Sequence, residues 1–218
     1  MELIKTVIFL GFFYSQIITG FQSDEKAVAF TFDACETVTP AYFDKDLLDF
    51  ILNNKIPVTL FLSGKFIERN LIDLRTLSKY EFIEIENHSY SHWNFREINV
   101  EVALADVKKN EALITEVTGR KPLFFRFPYG EYRNEILKGI EKAGYKVVHW
   151  AFPSGDPDKS ITKEQLVEAV VKKAKNGDVL IFHINGRGWK TKEAFPEIVK
   201  ILKEKGYRFY LLKDVLKQ

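Results

Sequence analysis

The chain alternates between short apolar runs and longer amphipathic stretches. The apolar runs are rich in β-branched and aromatic residues, as is typical of buried strands. They cover residues 27–33, 56–62, 82–86, 122–126, 145–150, 179–183 and 207–212. The stretches between them repeat apolar residues at helical spacing over residues 41–53, 66–78, 100–117, 134–143, 163–175 and 192–205. Strands that alternate with helices predict a parallel sheet with helical crossovers.

The ends of the predicted helices carry the expected capping residues. Thr39 followed by Pro40 predicts one helix start, and Thr162 with Gln165 has the form of a capping box. Gly119 follows a helical run, where a left-handed C-cap favours glycine. The chain has no Pro/Ser-rich linker that would divide it. We therefore expect a single α/β domain and favour an imperfectly closed barrel of seven strands over an open doubly wound sheet.

The amino terminus differs from the rest of the chain. Residues 6–23 carry no charge and begin with an apolar stretch at residues 7–13, which is typical of a secretory leader. We predict a signal peptide or amino-terminal membrane anchor over residues 1–23 and a folded domain over residues 24–218. The protein would then be secreted, periplasmic or held at the cell envelope. The alternative is a first buried strand or helix.

Composition narrows the class of protein and of partner. The chain has 218 residues, of which 46% are hydrophobic, so it is long enough and apolar enough for one well-covered core. Its 32 basic and 30 acidic residues give a net charge of +2, which is not the basic field expected of a nucleic-acid-binding protein. Cys35 is the single cysteine, so no internal disulfide forms.

Chemically capable side chains occur at the downstream ends of the apolar runs. His88 and His92 lie four residues apart, a spacing at which two imidazoles can hold one divalent metal. Asp33, Arg126 and His183 end three other runs. Because ligands and catalysis gather at the carboxyl ends of parallel strands, we expect these five side chains to converge.

With these residues in place, the chain resembles the polysaccharide deacetylases, the NodB homology group also called carbohydrate esterase family 4. The resemblance runs through five ordered motifs, at residues 31–33, 88–92, 126–130, 150–156 and 180–183. The family fold that it implies is a distorted (β/α)7-type barrel, in agreement with the strand count.

The resemblance implies metal-assisted hydrolysis of the acetamide on an N-acetylated amino sugar. His88 and His92 would hold a divalent ion, expected to be zinc, with cobalt or nickel as alternatives. Asp33 would be the general base, paired with Arg126. His183 would be the acid that protonates the departing amine, with Asp156 hydrogen-bonded to it.

The same resemblance implies how the substrate is held. The backbone N–H of Tyr129 would stabilise the oxyanion. Pro128, Trp150 and Ile181 would line the pocket for the acetyl methyl group and the sugar ring.

The first motif departs from the family pattern at one position. A second aspartate, the third metal ligand of the family, is replaced by Ala34. The alternatives for the vacant position are Glu36, Asp33 or water, and the sequence does not place the zinc-binding thiol of Cys35 on either side of the loop. We therefore expect metal binding to be weaker than in a site with three protein ligands.

The leading hypothesis from the sequence is a deacetylase of N-acetylglucosamine polymers, such as peptidoglycan or a related glycan, acting on a polysaccharide or oligosaccharide. One alternative is a deformylase or deacetylase of a lipid-linked sugar or small amide. The other is a retired enzyme that binds glycans without cutting them, because of Ala34.

Overall fold

Seven parallel strands form one curled sheet. The computed structural model describes residues 17–216, so most of the predicted leader lies outside the described residues. The strands are β1 (Ala27–Ala34), β2 (Val58–Leu62), β3 (Ile83–Asn87), β4 (Phe124–Phe125), β5 (Lys146–Val147), β6 (Asp178–His183) and β7 (Arg208–Phe209). Their order is β5-β4-β3-β2-β1-β6, and β7 pairs with the start of β1. The predicted (β/α)7-type barrel in a single domain is confirmed.

Eight helices of the described region accompany the strands. They are α1 (Lys45–Asn53), α2 (Gly64–Arg69), α3 (Leu71–Leu77), α4 (Val100–Thr118), α5 (Asn134–Lys142), α6 (Lys163–Lys173), α7 (Thr191–Glu204) and α8 (Leu212–Val215). None of the helices within residues 17–216 is long and apolar enough to cross a bilayer.

Two helix predictions are corrected by tertiary contacts. The helix expected over residues 66–78 is broken at Asn70, whose buried side chain donates to the carbonyls of Ala41 and Phe66. The start expected at Thr39 was wrong, because α1 begins at Lys45 and its N-cap is Asp44, which accepts from the N–H of Leu47. The capping box at Thr162 and the left-handed C-cap at Gly119 are both present.

Strand β1 is buried along its whole length because both faces of the sheet are covered. Phe30, Phe32 and Ala34 face outward into the core beneath the helices. Asp33 and Cys35 alternate with them and line a cavity at the carboxyl end of the strand. This alternation decides which side chains of the first motif can reach a ligand.

The short strand β4 depends on a buried carboxyl group. Glu86 accepts hydrogen bonds from the N–H groups of Leu123 (2.8 Å) and Phe124 (2.6 Å). The two strands share a single ladder pair, Asn87 with Phe125, so these bonds supply much of their connection. Burial raises the pKa of Glu86 well above its ordinary value, and the charge of Glu84 raises it further. Glu86 thereby fixes the strand that leads into the third motif.

The segment 18–21 spans the gap between β5 and β6. Ile18 donates to the carbonyl of Val147 and accepts from the N–H of His149, while Phe21 donates to the carbonyl of Gly177. These are the last residues of the predicted leader. The leader assignment itself stays a prediction. Removal of the chain up to Gly20 would remove both hydrogen bonds made by Ile18.

Candidate active site

The carboxyl ends of the strands bring the predicted residues to one cavity of about 300 Å³. Asp33 and His183 are direct ladder partners on neighbouring strands, and His88 follows β3 immediately. The cavity is lined by Asp33, Cys35, His88, His92, Tyr129, Trp150, Pro153, Ser154, Gly155, Asp156, Pro157, Ile181, His183 and Arg187. Residues separated by more than a hundred positions therefore meet, as the strand-end pattern predicts.

Asp33 is held ionised by Arg126. Nη1 of Arg126 donates to Oδ1 of Asp33 at 2.7 Å, and the guanidinium, 0% exposed, also donates to the carbonyls of Val148 and His149. Burial raises the pKa of Asp33, but the charges of Arg126, His88 and His183 together outweigh it, so the pKa lies below its ordinary value. Asp33 is thus an oriented, charged carboxylate that can accept a proton.

His183 is paired with Asp156. Nδ1 of His183 lies 3.0 Å from Oδ1 of Asp156, and the backbone N–H of His183 donates to Oδ2 at 2.7 Å. Ser154 and Thr191 donate to the same carboxylate. Burial lowers the pKa of His183, but the hydrogen bond and charge of Asp156 raise it by more, so the pKa lies above its ordinary value. Protonated His183 can therefore act as an acid.

His88 and His92 form the pair expected from their spacing. Their ring centroids are 4.9 Å apart. Nδ1 of His88 lies 2.8 Å from the carbonyl of Arg126, so Nδ1 carries the proton and Nε2 the lone pair. Burial lowers the pKa of both rings, and for His92 burial and the charge of His88 bring it to about 3. Both shifts favour the neutral imidazole, which is the form that binds a metal.

The two imidazoles fit a divalent ion. Nε2 of His88 faces Oδ2 of Asp33 at 3.6 Å, and both atoms offer electron pairs, so a cation or proton between them is favourable. The buried Nδ1 of His92 has no hydrogen-bond partner in the described region. In His88, the carbonyl of Arg126 orients one ring nitrogen and the other is left free, which is the usual support of a metal-binding histidine.

A third protein ligand is missing from this arrangement. Within residues 17–216 no group of three His, Cys, Asp or Glu side chains is placed to hold one ion. Ala34 faces outward, and Glu36 is turned from the cavity because it pairs with Arg69 and accepts from the N–H of Ala41. The Cys35 side chain is the one that follows Asp33 on the cavity side.

Tyr129 offers a backbone donor at the mouth of the cavity. Its φ of 60° lies in the left-handed region, which is uncommon for a residue with a side chain. Its N–H donates to no other group within residues 17–216. Strain of this kind persists where surrounding contacts enforce it, often at functional sites. The ring packs edge-on against His92 with centroids 4.7 Å apart.

The apolar side of the cavity contains two of the three predicted residues. Trp150 and Ile181 line it, and the Trp150 ring stacks on His149 with centroids 5.2 Å apart. Pro128 is buried at the start of a 3-10 turn, Pro128–Gly130, and is not among the lining residues, so its contact with substrate stays a prediction. Its position instead fixes the turn that presents Tyr129.

Three residues that contribute to the candidate active site were not predicted from the sequence. Ser154 and Thr191 hold Asp156, and Arg187 places a guanidinium on the cavity lining. Arg187 lies in the loop after β6, a strand-end position that could have drawn attention to it. Ser154 and Thr191 gave no signal, because their role depends on contacts across the fold.

A model of the family described as polysaccharide deacetylase matches residues 21–148. A peptidoglycan-N-acetylglucosamine deacetylase of Bacillus cereus is 32% identical over 200 residues, which cover 89% of this chain and 90% of that protein. The peptidoglycan-N-acetylmuramic acid deacetylase PdaA of Bacillus subtilis is 25% identical over 195 residues, 88% of this chain and 72% of that protein.

Solved structures show the same fold. The Bc1960 peptidoglycan N-acetylglucosamine deacetylase superposes with a TM-score of 0.83 at 25% identity, covering 93% of this chain and 92% of that one. BA3943 of Bacillus anthracis, described as a CE4 family pseudoenzyme, superposes with a TM-score of 0.81 at 23% identity, covering 94% and 70%. At that identity the second likeness concerns the fold alone.

Proposed function

The chain belongs to the polysaccharide deacetylase family, and from that premise we propose that it hydrolyses the N-acetyl groups of amino sugars in peptidoglycan or a related cell-wall glycan. The observation that carries the proposal is one cavity that contains the carboxylate of Asp33 paired with Arg126, the imidazole of His183 paired with Asp156, and the two imidazoles of His88 and His92. This set suits amide hydrolysis, which needs an activated water and a protonated leaving amine.

The residues divide the reaction between them. Asp33, fixed by Arg126, takes the proton of the attacking water. The N–H of Tyr129 donates to the oxygen that becomes negative as the carbonyl is attacked. His183, whose Nδ1 is occupied by Asp156, uses Nε2–H to protonate the departing amine. Trp150 and Ile181 surround the acetyl methyl group and exclude water from it.

A divalent ion held by His88 and His92 would polarise the acetamide carbonyl and acidify the attacking water. Zinc suits imidazole ligands, and cobalt or nickel would be accepted by the same ligands.

Location at the cell envelope is part of the proposal. A glycan of the cell wall is reached from outside the cytoplasm, and the uncharged apolar residues 6–23 suit export or anchoring.

Acetate release from N-acetylated glycan oligomers tests the function directly. We expect release by the wild type, enhanced by added zinc or cobalt, and a fall of about 100-fold or more in Asp33→Asn and His183→Ala, since acid-base catalysis contributes about 10²–10⁴-fold. Asp49→Asn is the matched control, because Asp49 is exposed on α1. Equal rates in all four proteins would remove the proposal.

A second candidate, a glycan binder without activity, is favoured by the outward-facing Ala34 and the missing third ligand. A wild type that binds glycan oligomers in calorimetry but takes up no zinc and releases no acetate would establish it. A comparison of soluble oligomers with lipid-linked sugars as substrates separates a deacetylase of glycan polymers from a deacetylase or deformylase of lipid-linked sugars.

A further inference from the structure

Arg187 places a positive charge on the lining of the active-site cavity without a carboxylate partner. Its Nη1 lies 3.9 Å from Sγ of Cys35, and it forms no salt bridge within residues 17–216. The guanidinium lies on the same cavity lining as Asp33, His92 and His183. The catalytic steps proposed above make no use of it.

The loop that carries Arg187 is anchored on both sides of it. Nδ2 of Asn185 donates to the carbonyl of Cys35 at 2.7 Å. Gly188 is packed so closely that a Cβ would lie 2.1 Å from Oγ1 of Thr191 and 2.6 Å from Oδ2 of Asp156. The N–H of Trp189 donates to the carbonyl of Asp156. The guanidinium is therefore presented from a fixed backbone, which lowers the entropy lost when it binds a ligand.

The other charges of the cavity are matched. Asp33 pairs with Arg126, and Asp156 pairs with His183. The guanidinium of Arg187 is then the unmatched charge among the lining residues, and planar guanidinium groups favour bidentate contacts with carboxylates. A substrate with an anionic group near the scissile acetamide would satisfy it.

Resting on the proposed function, we infer that Arg187 recognises a carboxylate on the same sugar unit whose acetamide is cut. The chemical class of the substrate is an N-acetylated hexosamine that carries a carboxylate on the ring substituent next to the acetamide. The lactyl ether of muramic acid has this carboxylate when no peptide is attached. Because Arg187 lines the same cavity of about 300 Å³ as Asp33 and His183, an anion that it contacts lies close to the acetamide that is cut. Carboxylates of a stem peptide are the other source, and the lactyl carboxylate is no longer free once a peptide is attached.

Three substrates separate these sources of charge: peptide-free glycan strands with free lactyl carboxylates, the same strands carrying stem peptides, and neutral N-acetylglucosamine oligomers. For the wild type we expect the highest kcat/KM on the peptide-free strands, with acetate released from the muramic units. Arg187→Gln should lose roughly 10- to 100-fold on these strands, mainly through KM, and change little on the neutral oligomers, because a charge-assisted contact is lost. Arg187→Lys should recover part of the loss. Lys192→Gln removes an exposed cation that pairs with Asp46 and does not line the cavity, so it should change nothing.

The outcomes of this experiment are distinguishable. Equal losses on neutral and anionic strands in Arg187→Gln, or no loss at all, overturn the inference while the deacetylase function stands. A preference for peptide-bearing strands that depends on Arg187 also overturns it, in favour of peptide recognition. A wild type that cuts none of the substrates overturns the function, and calorimetry with a peptide-free muramic tetrasaccharide then decides the inference: weaker binding in Arg187→Gln than in the wild type supports it, and equal binding ends it.

Discussion

Arg126 and Asp33 form a fully buried ion pair, with Nη1 2.7 Å from Oδ1, at the centre of the candidate active site. Removing one partner of such a pair leaves an uncompensated charge in the interior. Arg126→Gln should therefore lower the free energy of unfolding by about 3–5 kcal/mol, as measured by urea denaturation.

A double-mutant cycle tests whether the pair is the cause. The loss in the Asp33→Asn, Arg126→Gln double variant should be smaller than the sum of the single losses, because neither charge is then left alone. Additive losses would show that Arg126 stabilises the fold through the carbonyls of Val148 and His149 instead.

The Asp156–His183 pair should set the basic limit of the pH profile. The proposed mechanism requires Asp33 ionised and His183 protonated, so kcat/KM should fall as pH drops through the lowered pKa of Asp33 and as it rises through the raised pKa of His183. Asp156→Asn removes the hydrogen-bonded charge that raises the pKa of His183. Its basic limb should move to lower pH.

Asp158→Asn is the control for that profile, since Asp158 is an exposed carboxylate two residues away that contacts Ser160. A basic limb that stays in place in Asp156→Asn, or moves equally in Asp158→Asn, would show that another group sets it.

The strand ends that carry the chemistry could be predicted from sequence because two local signals coincide there. Each buried strand is a recognisable apolar run, and Asp33, Arg126 and His183 end such runs. Parallel topology then places these ends at one edge without further information. The pairs Asp33–Arg126 and Asp156–His183 are in contact as expected.

Other features depend on contacts between distant segments. The break at Asn70 follows from a hydrogen bond to the carbonyl of Ala41. Helix α1 begins at Lys45 because Asp44, at the end of the preceding loop, is its N-cap. The outward side chain of Ala34 and the inward one of Cys35 depend on the alternation of β1 continuing through residue 35, and propensity does not resolve a difference of one residue in that alternation.

That one-residue difference predicts how a third metal ligand can be restored. Cys35→Asp places a carboxylate on the cavity lining that also contains the two imidazoles, and it should tighten zinc binding in titration calorimetry. Ala34→Asp places it in the outer apolar core, so it should leave zinc affinity unchanged and destabilise the fold by roughly 3 kcal/mol or more. Tighter binding by Ala34→Asp than by Cys35→Asp would show that the loop rearranges around a metal.

Closure of the barrel by the segment 18–21 makes Gly177 a sensitive position. A Cβ on Gly177 would lie 1.9 Å from the carbonyl oxygen of Phe21, whereas one on Gly206 would meet nothing within 4 Å. Both glycines have a left-handed φ, 84° and 85°, so alanine costs each about 1–2 kcal/mol through the backbone alone.

Gly177→Ala should therefore destabilise the protein more than Gly206→Ala in urea denaturation. It should also speed hydrogen exchange at the amide of His149, which donates to the carbonyl of Ile18, because the displaced segment no longer covers the edge of β5. Equal losses of stability and unchanged exchange would mean that the segment is dispensable to the sheet. Removal of the leader up to Gly20 would then leave the folded domain intact.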